Sequence, residues 1–155
     1  MTIRATAPPL AFVYDRHLAG NKALLTMRAR TCAAYADDQG WDVGGWFVDT
    51  GDAALLLNQR PNFERLMRAI AAADKERVRV CLVLDWDRIS NDRAKRDILV
   101  RRLVGLGARV ETCFGERVTP DDHRKSVSNP TGVPRHLPAP GRDALGVPLT
   151  GGWTG

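Results

Sequence analysis

Charged and polar side chains gather in four short segments, residues 15–21, 49–60, 85–91 and 114–117, and each follows an apolar run. Arg16, Arg60 and Arg88 stand in the first three. A guanidinium is a rigid fork of donors that fits carboxylate or phosphate oxygens in pairs, so two chemistries are open to these residues: ion pairing and anion binding. For a single arginine the surface ion pair is the plainer reading, for example Arg88 with Asp85 or Asp92. Three arginines at neighbouring strand ends favour the anion. The whole chain points the same way: 23 Lys and Arg against 18 Asp and Glu leave a formal charge of +5, and the isoelectric point is about 9.6. Summed positive potential concentrates phosphate-bearing partners.

The elements that must position these residues are legible in the hydrophobic pattern. Residues 10–14 (LAFVY) read as a buried strand, and Asn21 as the cap of a helix over residues 22–38. In that helix Leu25, Ala29, Cys32, Ala33 and Ala36 recur at helical spacing, and Gly40 supplies the stop. Residues 43–48 predict a second strand, followed by a loop without period up to residue 59. After Pro61-Asn62, the residues Phe63, Leu66, Met67, Ile70 and Ala71 follow the i, i+3, i+4, i+7, i+8 pattern of an amphipathic helix. Val78, Val80 and residues 82–84 give a third strand, apolar almost throughout, as a parallel strand covered on both faces must be. Ser90 is the expected cap of a helix to about residue 106, with Ala94, Ile98, Leu99, Leu103 and Leu106 inward and Gly105 and Gly107 ending it. Residues 108–113 complete a fourth strand.

Strands alternating with helices imply βαβ units, and hence an α/β fold: a doubly wound, mostly parallel sheet of at least four strands flanked by helices. In such sheets function gathers at the carboxyl ends of the strands, where the four polar segments fall. At 155 residues with 44% hydrophobic side chains the chain can bury one core. Cys32, Cys81 and Cys113 are odd in number and widely spaced, which reads as reduced core thiols rather than a disulfide framework or a zinc site. No apolar run reaches a membrane span and no signal peptide is recognisable, so a cytoplasmic location and no membrane partner are expected. Over residues 119–155 six Pro and six Gly interrupt any apolar period, and a disordered tail is expected there, after a folded domain of residues 1–118.

Taken together, Tyr14-Asp15-Arg16, Arg60-Pro61 and Asp85-Trp86-Asp87-Arg88-Ile89 resemble, in order and spacing, the N-terminal catalytic domain of the serine recombinases (resolvase/invertase family). Ala34-Tyr35-Ala36, Gly40-Trp41 and Phe47-Val48-Asp49 extend the similarity over about residues 10–115. The resemblance implies the resolvase fold and a DNA substrate. In that family a serine two residues after the first arginine attacks a phosphodiester while arginines neutralise it, because charge builds on the non-bridging oxygens during phosphoryl transfer. Arg16, Arg60 and Arg88 match those arginines. Asp87 matches the acidic neighbour that orients the arginine or assists proton transfer, with a helix-entry carboxylate as an equal alternative, and Asp49 a further acidic position, where a carboxylate that satisfies loop amides is an equal alternative.

The departures bear directly on activity. Leu18 occupies the serine position, and its side chain has no lone pair to attack phosphorus. Asn91 stands where the family has another arginine, Ala53-Ala54 where it has Ser-Gly, and Arg28 is the nearest counterpart of the usual glutamine on the first helix. Losing an activated nucleophile leaves about 10³ to 10⁴ of residual acceleration. Difficult reactions need about 10¹⁵ or more. The resemblance therefore implies a degenerate recombinase domain without strand cleavage, binding DNA phosphate through Arg16, Arg60, Arg88 and Arg28, with no cofactor and no metal. Another recombinase subunit is the second expected partner. Three alternatives stand beside it: a substitute nucleophile at His17, Thr26 or Ser90, a receiver-like signalling domain built on Asp15 and Asp85, or a vestigial fragment. No dimerising helix or DNA-binding domain is recognisable after Arg117, which fits a truncated or frameshifted gene product.

Overall fold

A computed structural model of the protein describes residues 6–18, 21–51 and 60–127, the side chains only as far as Lys125. The chain divides into two units, residues 1–124 and 125–155. In the first, five strands, β1 (Leu10–His17), β2 (Asp42–Thr50), β3 (Arg79–Val83), β4 (Arg109–Thr112) and β5 (Arg117–Val118), form one sheet in the order β2-β1-β3-β4-β5. All neighbours are parallel except β4 and β5, which pair antiparallel. This is the doubly wound sheet the pattern predicts, with β5 added as a short edge. Helices α1 (Lys22–Asp38), α2 (Pro61–Ala72) and α3 (Arg93–Gly105) connect the parallel strands. Among the described residues no helix is long and apolar enough to cross a membrane.

Period-two alternation divides the core between the two faces of the sheet. Phe12, Tyr14, Cys81, Val83 and Val110 meet Phe63, Leu66 and Ile70 of α2 and Leu99, Val100, Leu103 and Val104 of α3. Ala11, Val13, Val80 and Leu82 meet Cys32 and Ala36 of α1 on the other. Phe63, Leu66 and Ile70 are wholly buried, which stabilises α2 by about 1.5–3 kcal/mol per side chain.

Helix ends follow their chemistry. Asn21 caps α1 by accepting the Leu24 N–H at 3.2 Å. Gly40, at φ +73°, closes that helix with the paired bonds from Gly40 N–H to the Asp37 carbonyl and from Trp41 N–H to the Ala36 carbonyl. Three expectations need correction. The cap of α3 is Asp92, whose carboxylate accepts the Lys95 N–H at 3.1 Å, and Ser90 instead accepts the Asp92 N–H at 3.2 Å. Ala94 and Ile98 face solvent, because the inward stripe of α3 runs through the i, i+4 pairs Leu99–Leu103 and Val100–Val104. Inside the segment expected to lack structure, a fourth helix, α4 (Pro120–Val127), forms. Thr119 and Asp122 exchange bonds, the Thr119 hydroxyl to the Asp122 carboxylate at 2.8 Å and the Asp122 N–H to the hydroxyl at 3.3 Å, and Pro120 holds the first helical position. The rest of the expected tail, residues 128–155, lies outside the described residues, as does the Ala53-Ala54 loop.

Candidate phosphate site at the strand ends

β1 outruns its neighbour. Its pairing with β3 ends at Val13 with Leu82, whereas pairing with β2 continues to His17 with Thr50. The β3 edge of residues 14–17 is thereby open, and the chain leaving β3 enters it as one 3-10 turn, Trp86–Arg88. The Asp85 carboxylate caps this turn through the Arg88 N–H at 3.2 Å. Two reciprocal bonds fix the turn to β1: Arg16 Nε donates to the Asp87 carbonyl at 2.6 Å, and Arg88 Nη1 donates to the Arg16 carbonyl at 3.1 Å. This junction is the reversal point of strand order in a 2-1-3-4 sheet, where ligands of such folds bind.

Alternation along β1 sends its charged residues to opposite faces. Asp15 and His17 turn toward α1. The Asp15 carboxylate accepts from Arg28 Nε at 2.7 Å and from the Arg16 N–H at 2.8 Å, and Arg88 Nη1 lies 3.7 Å away. Arg28, on the buried seam Arg28–Cys32–Ala36 of α1, also places Nη2 3.1 Å from His17 Nδ1. His17 Nε2 in turn accepts the Asn21 N–H at 2.8 Å. Both ring nitrogens therefore face donors. Tyr14 and Arg16 point to the α2 side, where Tyr14 donates to Asp49 at 2.8 Å. Asp49, wholly buried, also accepts the Asn62 and Phe63 N–H groups at 3.0 Å each, which makes it the carboxylate cap of α2. Burial and then the Asp49 charge hold the Tyr14 phenol well above its ordinary pKa.

Leu18, about half exposed, stands at a cleft of about 280 Å3. Arg16, His17, Leu24, Arg28, Asp87, Arg88 and Asn91 complete its wall. The fold thus brings Arg16, Arg28, Asp87, Arg88 and the Leu18 position together. Arg60 is not in that wall. It is almost wholly buried ahead of α2 and donates to the Ile89 carbonyl. Arg60 still acts on the site by charge: burial first, then repulsion by Arg60 and Arg88, lowers the Arg16 guanidinium from its ordinary pKa. A bound anion would relieve the repulsion between these guanidiniums, whereas burial disfavours a charge of either sign. Among the described residues no cluster of three His, Cys, Asp or Glu side chains could hold a metal.

The remaining candidates are engaged locally. Thr26 donates to the Lys22 carbonyl at 2.9 Å along its own helix. Ser90 is buried and serves the Asp92 amide. Arg28, expected to bind DNA phosphate, stands in the cleft wall but is ion-paired with Asp15, and its i, i+4, i+8 relation to Cys32 and Ala36 is the signal in the sequence that it faces inward.

The family model described as "Resolvase, N terminal domain" matches residues 15–129. No curated protein sequence matches the chain. Among solved structures it is similar to the N-terminal catalytic domain of TP901-1 integrase, with 18% identity, a TM-score of 0.60, and coverage of 79% of this chain and 92% of that one. The C-terminal catalytic domain of ISC1926 TnpA, an IS607-like serine recombinase, is similar at 21% identity and a TM-score of 0.57, with 77% of each chain covered. A resolvase family site-specific recombinase from Streptococcus pneumoniae gives 17% identity and a TM-score of 0.60 over 79% of this chain and 85% of that one.

Proposed function

Because this chain belongs to the resolvase family, we propose that it is a recombinase-type DNA-binding domain that holds a backbone phosphate without cutting it. The observation that carries the reading is the side chain at the mouth of the arginine-walled cleft: Leu18. Arg16 and Arg88 supply the positive wall, Asp87 fixes Arg16 through its carbonyl, and Arg28 acts through Asp15 by orienting β1. Arg60 contributes potential from behind Arg16. Phosphoryl transfer to protein requires an oxygen or nitrogen lone pair in line with the leaving group. The Leu18 side chain has none, and the His17 lone pair on Nε2 is taken by the Asn21 amide.

Restoring the nucleophile tests this directly. Leu18 is about half exposed, so Leu18→Ser costs about 1 kcal/mol of stability and leaves the fold intact. Purified wild-type and Leu18→Ser proteins are incubated with supercoiled and duplex DNA, quenched with denaturant and run under conditions that retain protein–DNA adducts. Wild type is expected to bind duplex in a salt-dependent way and give no adduct, and Leu18→Ser to give an adduct on residue 18. A wild-type adduct abolished by His17→Ala establishes a substitute nucleophile. Absence of wild-type binding even at low salt removes the DNA reading and leaves the vestigial one. The domain division at residue 118 and partnership with another recombinase subunit belong to the same proposal.

A further inference from the structure

Cys32 and Cys113 are 81 residues apart in sequence, yet their sulfurs lie 3.6 Å from each other. Cys32 belongs to the buried seam of α1, and Cys113 follows β4. A disulfide requires the sulfurs at about 2.05 Å, so from this spacing they must approach by about 1.5 Å. The two backbones are already held together from both sides. Tyr35, one turn beyond Cys32, donates to the buried Glu111 of β4 at 2.6 Å, and Cys32 itself packs against Ala11, Val13, Val80 and Leu82. Closing the bond thus orders nothing that is not ordered already. Access is unequal: Cys113 is half-buried and opens on a surface groove beside Met27, Arg30 and Thr31, while Cys32 is buried and only borders a separate cavity beside Val13 and Ala29. The third thiol, Cys81, is wholly buried in the opposite core cluster.

We propose that Cys32 and Cys113 are a peroxide-responsive thiol pair that closes to an intramolecular disulfide, tying α1 to the end of β4. The Cys113 thiolate attacks one oxygen of a hydroperoxide, the O–O bond breaks, and Cys113 becomes a sulfenic acid as water or alcohol leaves with a proton. Cys32 sulfur then attacks Cys113 sulfur, its proton leaves with the hydroxyl as water, and the disulfide forms. Two thiols lose two electrons and the peroxide gains two. The order of events follows access, since Cys113 opens on the groove and Cys32 is buried, and the thiol–thiol contact lowers the Cys113 pKa while the same contact and burial raise that of Cys32. Cys113 is the attacking sulfur and Cys32 the resolving one.

The test uses the full chain and hydrogen peroxide. Folded protein is oxidised at low concentration, unreacted thiols are alkylated after denaturation, and the digest is mapped without reductant. The expected result is loss of two alkylatable thiols, a monomer lighter by two hydrogens, and a Cys32–Cys113 cross-linked peptide that reductant removes. Cys32→Ser should lose the cross-link and accumulate a Cys113 sulfenic acid trapped by dimedone; Cys113→Ser should leave residue 32 reduced. Three free thiols in folded, peroxide-treated protein would overturn the proposal. So would a Cys113–Cys113 dimer as the main product, or a cross-link that includes Cys81.

Discussion

Asp15 is gripped by two arginines, and the structure assigns them different duties. Arg28 Nε meets Oδ2 at 2.7 Å with side chains 6% and 11% exposed, whereas Arg88 Nη1 stands 3.7 Å from Oδ1 and is 21% exposed. Simple Coulomb attraction separates the pairs little: about 6 against 4.5 kcal/mol gross at an effective dielectric of 20. Hydrogen bonding and competition separate them more. The Arg28 contact is a buried, charge-assisted hydrogen bond, worth about 1.5–3 kcal/mol net. Arg88 divides its charge between Asp15, Asp85 at 3.4 Å and the Arg16 carbonyl, so its coupling to Asp15 should be under about 1 kcal/mol. Two double-mutant cycles measure this, with Asp15→Asn against Arg28→Met and against Arg88→Met, read by urea denaturation. Asp15→Asn alone should cost about 3–5 kcal/mol, because Arg28 is left buried and unpaired. Adding Arg28→Met should return about 2 kcal/mol of that. Arg88→Met should barely couple, yet should flatten the salt dependence of DNA binding by about 0.9 in log–log slope, the contribution of one phosphate contact. Equal couplings in the two cycles would refute the division of labour, and with it the idea that Arg88 is the arginine available to a ligand.

Asp49→Ala should destabilise the domain by about 2–4 kcal/mol in the same assay, since it strips the Asn62 and Phe63 amides and the buried Tyr14 hydroxyl of their acceptor at once. Both tyrosines should resist alkali. The Tyr35 phenol, raised by burial and by its bond to Glu111, is pushed up to about 12 from 10.0, and Tyr14 lies higher still. The folded pKa exceeds the unfolded one, so the associated stability is complete below pH 10.0 and is lost as pH climbs toward about 12. Tyrosinate absorbance should therefore rise with global unfolding rather than ahead of it; a phenolate signal in folded protein near pH 10 would contradict both contacts.

Most of the scaffold was legible because burial imposes periods on sequence. The α2 stripe from Phe63 to Ile70, the apolar β3 and the stop at Gly40 all appear where the pattern puts them. What escaped was polar and long-range. Asp49 reads as a carboxylate able to satisfy amides, and only the packing of α2 against β2 identifies them as the first amides of that helix. Arg28 reads as a further phosphate ligand until the fold sets Asp15 against it. The capping box Thr119-Pro120-Asp121-Asp122 was readable but lost among the prolines and glycines that follow. For Cys32 and Cys113 no local signal exists, because their approach depends on how far α1 slides over the sheet. The site was thus visible as a set of residue types, while the partner of each guanidinium was decided in three dimensions.

The buried Asp15–Arg28 pair has an evolutionary consequence. Arg28 holds β1 to α1, Arg16 and Arg88 tie the 3-10 turn to β1, and Arg60 is an almost wholly buried part of the core's edge. Selection for a folded chain is therefore enough to retain these arginines, whether or not DNA is ever cut. Position 18 carries less of that burden, since its side chain is about half exposed at the cleft. Once cleavage ceases to be needed, the nucleophile is free to drift while the cradle around it persists. An intact arginine signature in a sequence of this kind thus reports that the fold is maintained, and only the residue at the mouth of the cleft reports on chemistry.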